Sequence, residues 1–135
     1  MRDTKSGSKA ELSINSLLLT GAGVGDQGVD LDGFQGALCV VSVGVIATGT
    51  TPVYTFGLRE CDTLGGSYTV VAPADLIGAP MVFRPADANT VQCQAYVGGM
   101  RFLRIDLESV TGTPGTGGLF TGIVIKSRPK YSPVA

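Results

Sequence analysis

Strict alternation of apolar and polar residues over short stretches, broken by Gly, Thr and Pro, constrains this chain more than anything else in it. In Arg101-Phe102-Leu103-Arg104-Ile105-Asp106-Leu107-Glu108, the residues Leu103, Ile105 and Leu107 fall on one side, and Arg104, Asp106 and Glu108 on the other. Val53-Tyr54-Thr55-Phe56-Gly57-Leu58-Arg59-Glu60 repeats the pattern. A repeat of two puts successive side chains on opposite sides of an extended backbone, which describes a strand with one buried and one wet face. A series of such segments divided by turn residues predicts a β-sandwich or a small barrel.

Along the chain, residues 1–9 read as a flexible basic arm. Ala10 to Thr20 reads as a strand rather than a short helix, because Leu12, Ile14 and Ser16 alternate. Gly21 to Gly28 is a loop. The apolar run from Gly36 to Ala47 carries no charge and predicts a central strand covered on both faces. Thr48-Gly49-Thr50-Thr51-Pro52 turns the chain into a strand over 53–61, and Asp62 to Ser67 forms a Gly-rich hairpin link to Tyr68-Thr69-Val70-Val71. Pro73 to Asn89, with three prolines and little periodicity, reads as a long loop. Strands follow at Thr90–Val97, Arg101–Val110 and Leu119–Lys126. Pro129 and Pro133 mark the tail, since proline cannot continue a ladder in mid-sheet. No internal repeat stands out. The division expected is therefore an arm over 1–9, a sandwich domain over 10–126 and a second arm over 127–135.

Composition agrees with one domain. The chain has 135 residues, 44% apolar and only 16% charged, with twenty glycines and no tryptophan. That is too hydrophobic for disorder, and so low in charge that part of the surface is expected to be covered by partners. The charge is uneven: residues 1–9 sum to +2, residues 126–135 to +3, and Ala10 to Ile125 to −6. An acidic body with basic ends lacks the continuous basic face that nucleic acid requires, so no direct nucleic-acid binding is expected. The basic ends suit acidic surfaces on a neighbouring subunit. The polar start of the chain and the brevity of Leu17-Leu18-Leu19 give no expectation of a secretion signal or a membrane partner. Cys39, Cys61 and Cys93 have no metal-like or redox-like spacing, and are expected to be reduced, buried strand residues of a cytosolically made protein.

Catalytic motifs are weak. With no histidine, imidazole bases and most zinc or copper sites are excluded. Gly23-Val24-Gly25-Asp26-Gln27-Gly28 matches G-x-G-x-x-G, but Val29-Asp30-Leu31-Asp32-Gly33-Phe34 continues it as strand or turn, whereas a phosphate site needs a helix there. Asp26, Asp30 and Asp32 do not meet the calcium-loop pattern and read as a solvated turn. Glu60 and Asp62 point the same way on a strand and read as solvent-facing charges beside a hairpin, since paired glycosidase carboxylates normally come from adjoining strands. Neither an enzyme activity nor a cofactor or metal is expected.

Several segments taken in order carry a resemblance. They are Gly28-Val29-Asp30-Leu31-Asp32-Gly33-Phe34, Leu58-Arg59-Glu60-Cys61-Asp62, Ser67-Tyr68-Thr69-Val70-Val71, Ala95 to Arg104, and Arg128-Pro129-Lys130-Tyr131-Ser132-Pro133-Val134-Ala135. Together they resemble small virion structural proteins of tailed bacteriophages, usually encoded beside the major capsid protein. Cys61 and Leu64 stand where such proteins are expected to have Ser and Asp. The resemblance implies a capsid cement or decoration protein: an all-β, single-domain antiparallel β-sandwich, with the jelly roll as one form of it, made in the bacterial host cytoplasm and placed on the outer capsid surface. The partners it implies are the major capsid protein and further copies of itself, as dimer or trimer. From charge placement, the expected contact residues are Lys5, Lys9, Lys126, Arg128, Lys130 and Tyr131. The alternatives are a head-completion, connector or tail-tube component and, more distantly, a sugar-binding sandwich.

Overall fold

A computed structural model describes residues 8–19, 28–46, 50–113 and 117–129. Among them lie the strands β1 (Ser8–Leu19), β2 (Val29–Asp30), β3 (Phe34–Ile46), β4 (Thr50–Cys61), β5 (Thr69–Val70), β6 (Leu76–Ile77), β7 (Met81–Phe83), β8 (Val91–Tyr96), β9 (Phe102–Thr113) and β10 (Gly118–Pro129). They form one sheet in the order β1-β10-β3-β8-β6 and a second in the order β2-β9-β4-β5, with β7 also on β4.

The connectivity follows one rule. β1 pairs with β10, β2 with β9, β3 with β8 and β4 with β7, all antiparallel. First with last, second with second-last, is the pairing of one long antiparallel ribbon whose tip carries β5 and β6. The additional pairs β10–β3 and β9–β4 come from winding that ribbon on itself. The result is a jelly roll, the two-sheet solution to the exposed-edge problem of antiparallel chains. The all-β sandwich expected from the alternation is the fold observed.

Alternation also explains the core. In β4 and β9 the register sets Phe56 opposite Leu107 and Leu58 opposite Ile105, so one face of each strand is apolar and buried. From the other sheet Val41, Val43, Phe120 and Val124 meet them. At the centre Phe120 lies against three rings, with centroids 5.0 Å from Tyr54, 4.8 Å from Phe56 and 5.6 Å from Phe83. Tilted rings at these distances add about 0.5–1.5 kcal/mol per pair to the burial itself.

Polar side chains rivet the sheets. Ser13 Oγ, at a bulge in β1, accepts from Ile105 N of β9 at 3.0 Å. This serves a backbone donor that the two-residue β2 does not reach. The Gln92 side chain bonds both the N–H and the carbonyl of Val82, and Gln94 Nε2 donates to Gly78 O at 3.2 Å. Glu60 corrects the reading of a solvent-facing charge: it is 8% exposed, and Tyr96 Oη donates to its Oε2 at 2.6 Å. It occupies an inward position of β4, in step with Tyr54, Phe56 and Leu58; Asp62 is exposed.

Other expectations change as well. The segment 73–89 is an ordered strap rather than a long loop. It makes two 3-10 turns, Pro73–Asp75 and Pro85–Asp87, each built on the tripeptide Pro-Ala-Asp, and places β6 on the first sheet and β7 on the second. Met81 and Phe83 bury completely there. The turns suit proline because its missing N–H falls where a helical turn has no acceptor for it. The expected boundaries at residues 10 and 126 fall inside strands, since β1 starts at Ser8 and β10 runs to Pro129. Pro129, at the end of β10, stands opposite Phe34 of β3.

Candidate docking face

β3 is central in its sheet, yet it is covered on one face only, which corrects the expectation of two-sided cover. Ala37, Cys39, Val41 and Val43 point into the sandwich; Leu38, Val40 and Ser42 point out. The register aligns these outward residues into rows across the strands. One row runs Ala10–Ile125–Leu38–Ala95–Ile77, the next Leu12–Ile123–Val40–Cys93, and the third Thr121–Ser42–Val91. Leu119 extends the face beyond them, its Cδ2 beside Gly44. Among the described residues, no outward position of this sheet carries a charge.

The face is open. Val91 is 61% exposed, Ile77 60% and Leu12 43%. Cys93, expected to be a buried hydrophobe, is exposed here, whereas Cys39 and Cys61 are buried. Burial pushes the Cys39 thiol up to about 12. Beside the first row, Gly36 and Ala95 leave a hollow of about 240 Å³ walled by Leu38, Ile77, Val97 and Ser127. An apolar surface with both protrusions and a hollow can hold another packed surface.

The outer face of the second sheet is its opposite. Arg59 donates from Nε and Nη2 to the two carboxylate oxygens of Glu108, each at 2.9 Å. Its Nε also lies 3.4 Å from Asp106 Oδ2. Arg104 grips Asp106 with bonds of 2.8 and 3.1 Å, and its guanidinium lies 4.1 Å from the centre of the Tyr68 ring. Charges here are matched by neighbours on the same chain, and Asp106 is 4% exposed. The alternation of Arg104, Asp106 and Glu108 against Leu103, Ile105 and Leu107 is therefore as the sequence indicates. The sandwich is two-faced.

Of the expected contact residues, Lys9 and Lys126 have described side chains, and neither stands in these rows. Lys5, Lys130 and Tyr131 lie outside the described residues, as do Gly23, Gly25 and Asp26. Lys9 is exposed near one end of β1, 3.7 Å from Glu11. Lys126 is buried: its Nζ lies 3.2 Å from Glu11 Oε1, donates to Asp30 O at 3.2 Å and sits over the Phe34 ring. That ammonium is occupied within the fold, a correction to its reading as a docking group. Arg128 stands near the end of β10. Because Ser8 pairs with Ser127, the two basic segments join the sandwich at neighbouring points. Asp30 is held by Arg101, with two bonds of 2.9 Å, and its carboxyl is pulled below the usual range chiefly by that partner. Gly28 leads into β2, so the glycine string opens onto a strand and not a helix.

The signal that could have located this face is apolar character at both parities. Leu38 and Val40 alternate with Cys39 and Val41, and Ile123 and Ile125 flank Val124. Such strands have two faces to cover. Compared with known proteins, the chain matches no family model and no curated sequence.

Proposed function

We propose that this protein is a structural subunit of a tailed-bacteriophage head: a cement protein that binds the outer surface of the icosahedral shell and stabilises it by bridging capsomers. The observation that carries the reading is the contrast between the two outer faces. One is uncharged, apolar and open; the other is knitted by its own ion pairs. Such a block works by being covered, with no reaction assigned to it. Its two most buried carboxylates are tied up within the fold, Glu60 by Tyr96 and Asp106 by two guanidiniums.

Two further points favour a shell over other assemblies. The jelly roll recurs in capsid and lectin domains, an analogy of fold. Ser8 pairs with Ser127, so the described ends of the two basic stretches lie side by side, with Lys9 and Arg128 next to that pair, and basic residues there suit the acidic surface of a capsid subunit. Many modest contacts of this kind, repeated over a shell, sum through multivalency to a large resistance to bursting.

Counting copies per particle tests the reading. In purified virions the protein should be present in a fixed ratio to the major capsid protein, in hundreds of copies, and electron microscopy should place it outside the shell. A single ring of about six or twelve copies would assign it to the connector or tail instead. Absence from the particles, or a position inside against the genome, would overturn the proposal.

A further inference from the structure

We infer that the uncharged outer face of the sheet β1-β10-β3-β8-β6 is closed by the same face of a second copy of this chain. The inference deepens the proposal above and rests on its reading of that face as an interface; what it adds is the occupant.

Charge selects that occupant. Two-fold contact sets a surface against itself, so a charged face meets its own charges, whereas this one carries none among the described residues. The rest of the body is acidic, −6 from Ala10 to Ile125, so joining two copies through its acidic parts would bring acid against acid. Here like meets like without repulsion.

Shape and size agree. A self-complementary patch must carry both the protrusion and the recess that receives it. The exposed side chains of Leu12 and Val91 stand on the same face as the hollow at Gly36 and Ala95. The twelve positions of the three rows, on strands about 4.8 Å apart and in rows about 6.7 Å apart, span roughly 400 Å² in plan. Leu119, the hollow and side-chain relief add to this, against the about 800 Å² that each partner gives to an ordinary stable interface. Sheets stack face to face about 10 Å apart as a general packing mode, so the pair would be a sandwich of two sandwiches with the twice-apolar strands β3 and β10 covered on both sides.

Cys93 lies in the second row of the face and reports on it, because the other two cysteines are buried. The full chain, purified under reducing conditions, is examined by light scattering across a dilution series and by the rate of maleimide labelling of Cys93. A dimer at high concentration is expected, with labelling about tenfold slower than after dilution to the monomer. Leu38→Lys and Val91→Lys, both at positions that already reach solvent, should give monomers with rapidly labelled Cys93. If either variant fails to fold, the wild-type dilution series decides alone. A wild-type monomer at every concentration with freely reactive Cys93, or a trimer, overturns the inference, since a two-fold contact closes at two copies. A monomer in solution whose Cys93 is shielded on virions also overturns it and leaves the shell proposal standing. A dimer that no virion carries supports the inference and removes the shell proposal.

Discussion

Tyr96 and Glu60 meet across the two sheets, the phenol of one donating to the carboxylate of the other at 2.6 Å. Met100 N donates to the same phenol oxygen at 3.1 Å, so one hydroxyl ties β8, β4 and the turn after β8 together. Tyr96→Phe leaves a buried carboxylate and an amide each short of a partner, and should cost about 1–3 kcal/mol in urea denaturation. Gly98→Ala should reproduce part of that loss, because a Cβ there would sit 2.5 Å from the Tyr96 oxygen, whose ring is packed and cannot swing away. A Tyr96→Phe protein as stable as the parent would remove the rivet from the account.

Alkaline pH should unfold this protein earlier than it unfolds a chain with exposed phenols. Burial raises Tyr54, Tyr68 and Tyr96 above their ordinary 10.0, with the bond to Glu60 adding to Tyr96, and burial moves Cys39 from 9.0 to about 12. A raised folded value means the proton is held more tightly in the folded state. The stabilisation is complete below the unfolded value and is lost as pH climbs through it toward the folded one. The urea midpoint should thus be flat near neutrality and fall above about pH 9, where Cys39 enters first. Cys39→Ala should delay the fall to about pH 10.

Much of the fold is legible in the sequence and little of its polar interior is. Leu103, Ile105 and Leu107 announce their buried face by spacing alone, because a strand's geometry is local. Glu60 gives no such sign. It occupies an inward position, but what makes a carboxylate acceptable there is a hydroxyl 36 residues away on the other sheet. Lys126 is hidden for the same reason, its partners Glu11 and Asp30 arriving from distant strands. The strap over 73–89 escapes periodicity because its strands are only two and three residues long. The docking face is half legible: Leu38 to Val43 asks for two covers, and the fold supplies one.

The two ion-paired aspartates should respond differently to loss of their partners. Asp106 is buried between two guanidiniums, and Asp106→Ala would leave Arg59 and Arg104 facing each other without it. That should cost about 2 kcal/mol, less than the about 3–5 kcal/mol of a fully enclosed pair, because both arginines reach water. Asp30 and Arg101 pair in the open, so Arg101→Ala should leave the urea midpoint unchanged at neutral pH. The lowered Asp30 value confines any contribution of that pair to conditions above its unfolded value, near 3.8, and acid removes it as pH falls below that. Equal losses in the two variants would contradict the burial difference.

Tyr54 offers a test of the opposite sign. Its ring is fully buried against Phe120, yet its hydroxyl meets no hydrogen-bond partner among the described residues. Removing an unsatisfied buried hydroxyl while keeping the ring relieves a desolvation penalty without opening a cavity. Tyr54→Phe should accordingly be neutral or raise stability by up to about 1 kcal/mol. Phe120→Ala removes the ring that touches three others and should cost about 3–5 kcal/mol. The pair separates packing from polarity at one point of the core. If Tyr54→Phe instead destabilised by more than about 1 kcal/mol, the hydroxyl would have a partner in the folded chain, and the aromatic cluster could not be treated as held by packing alone.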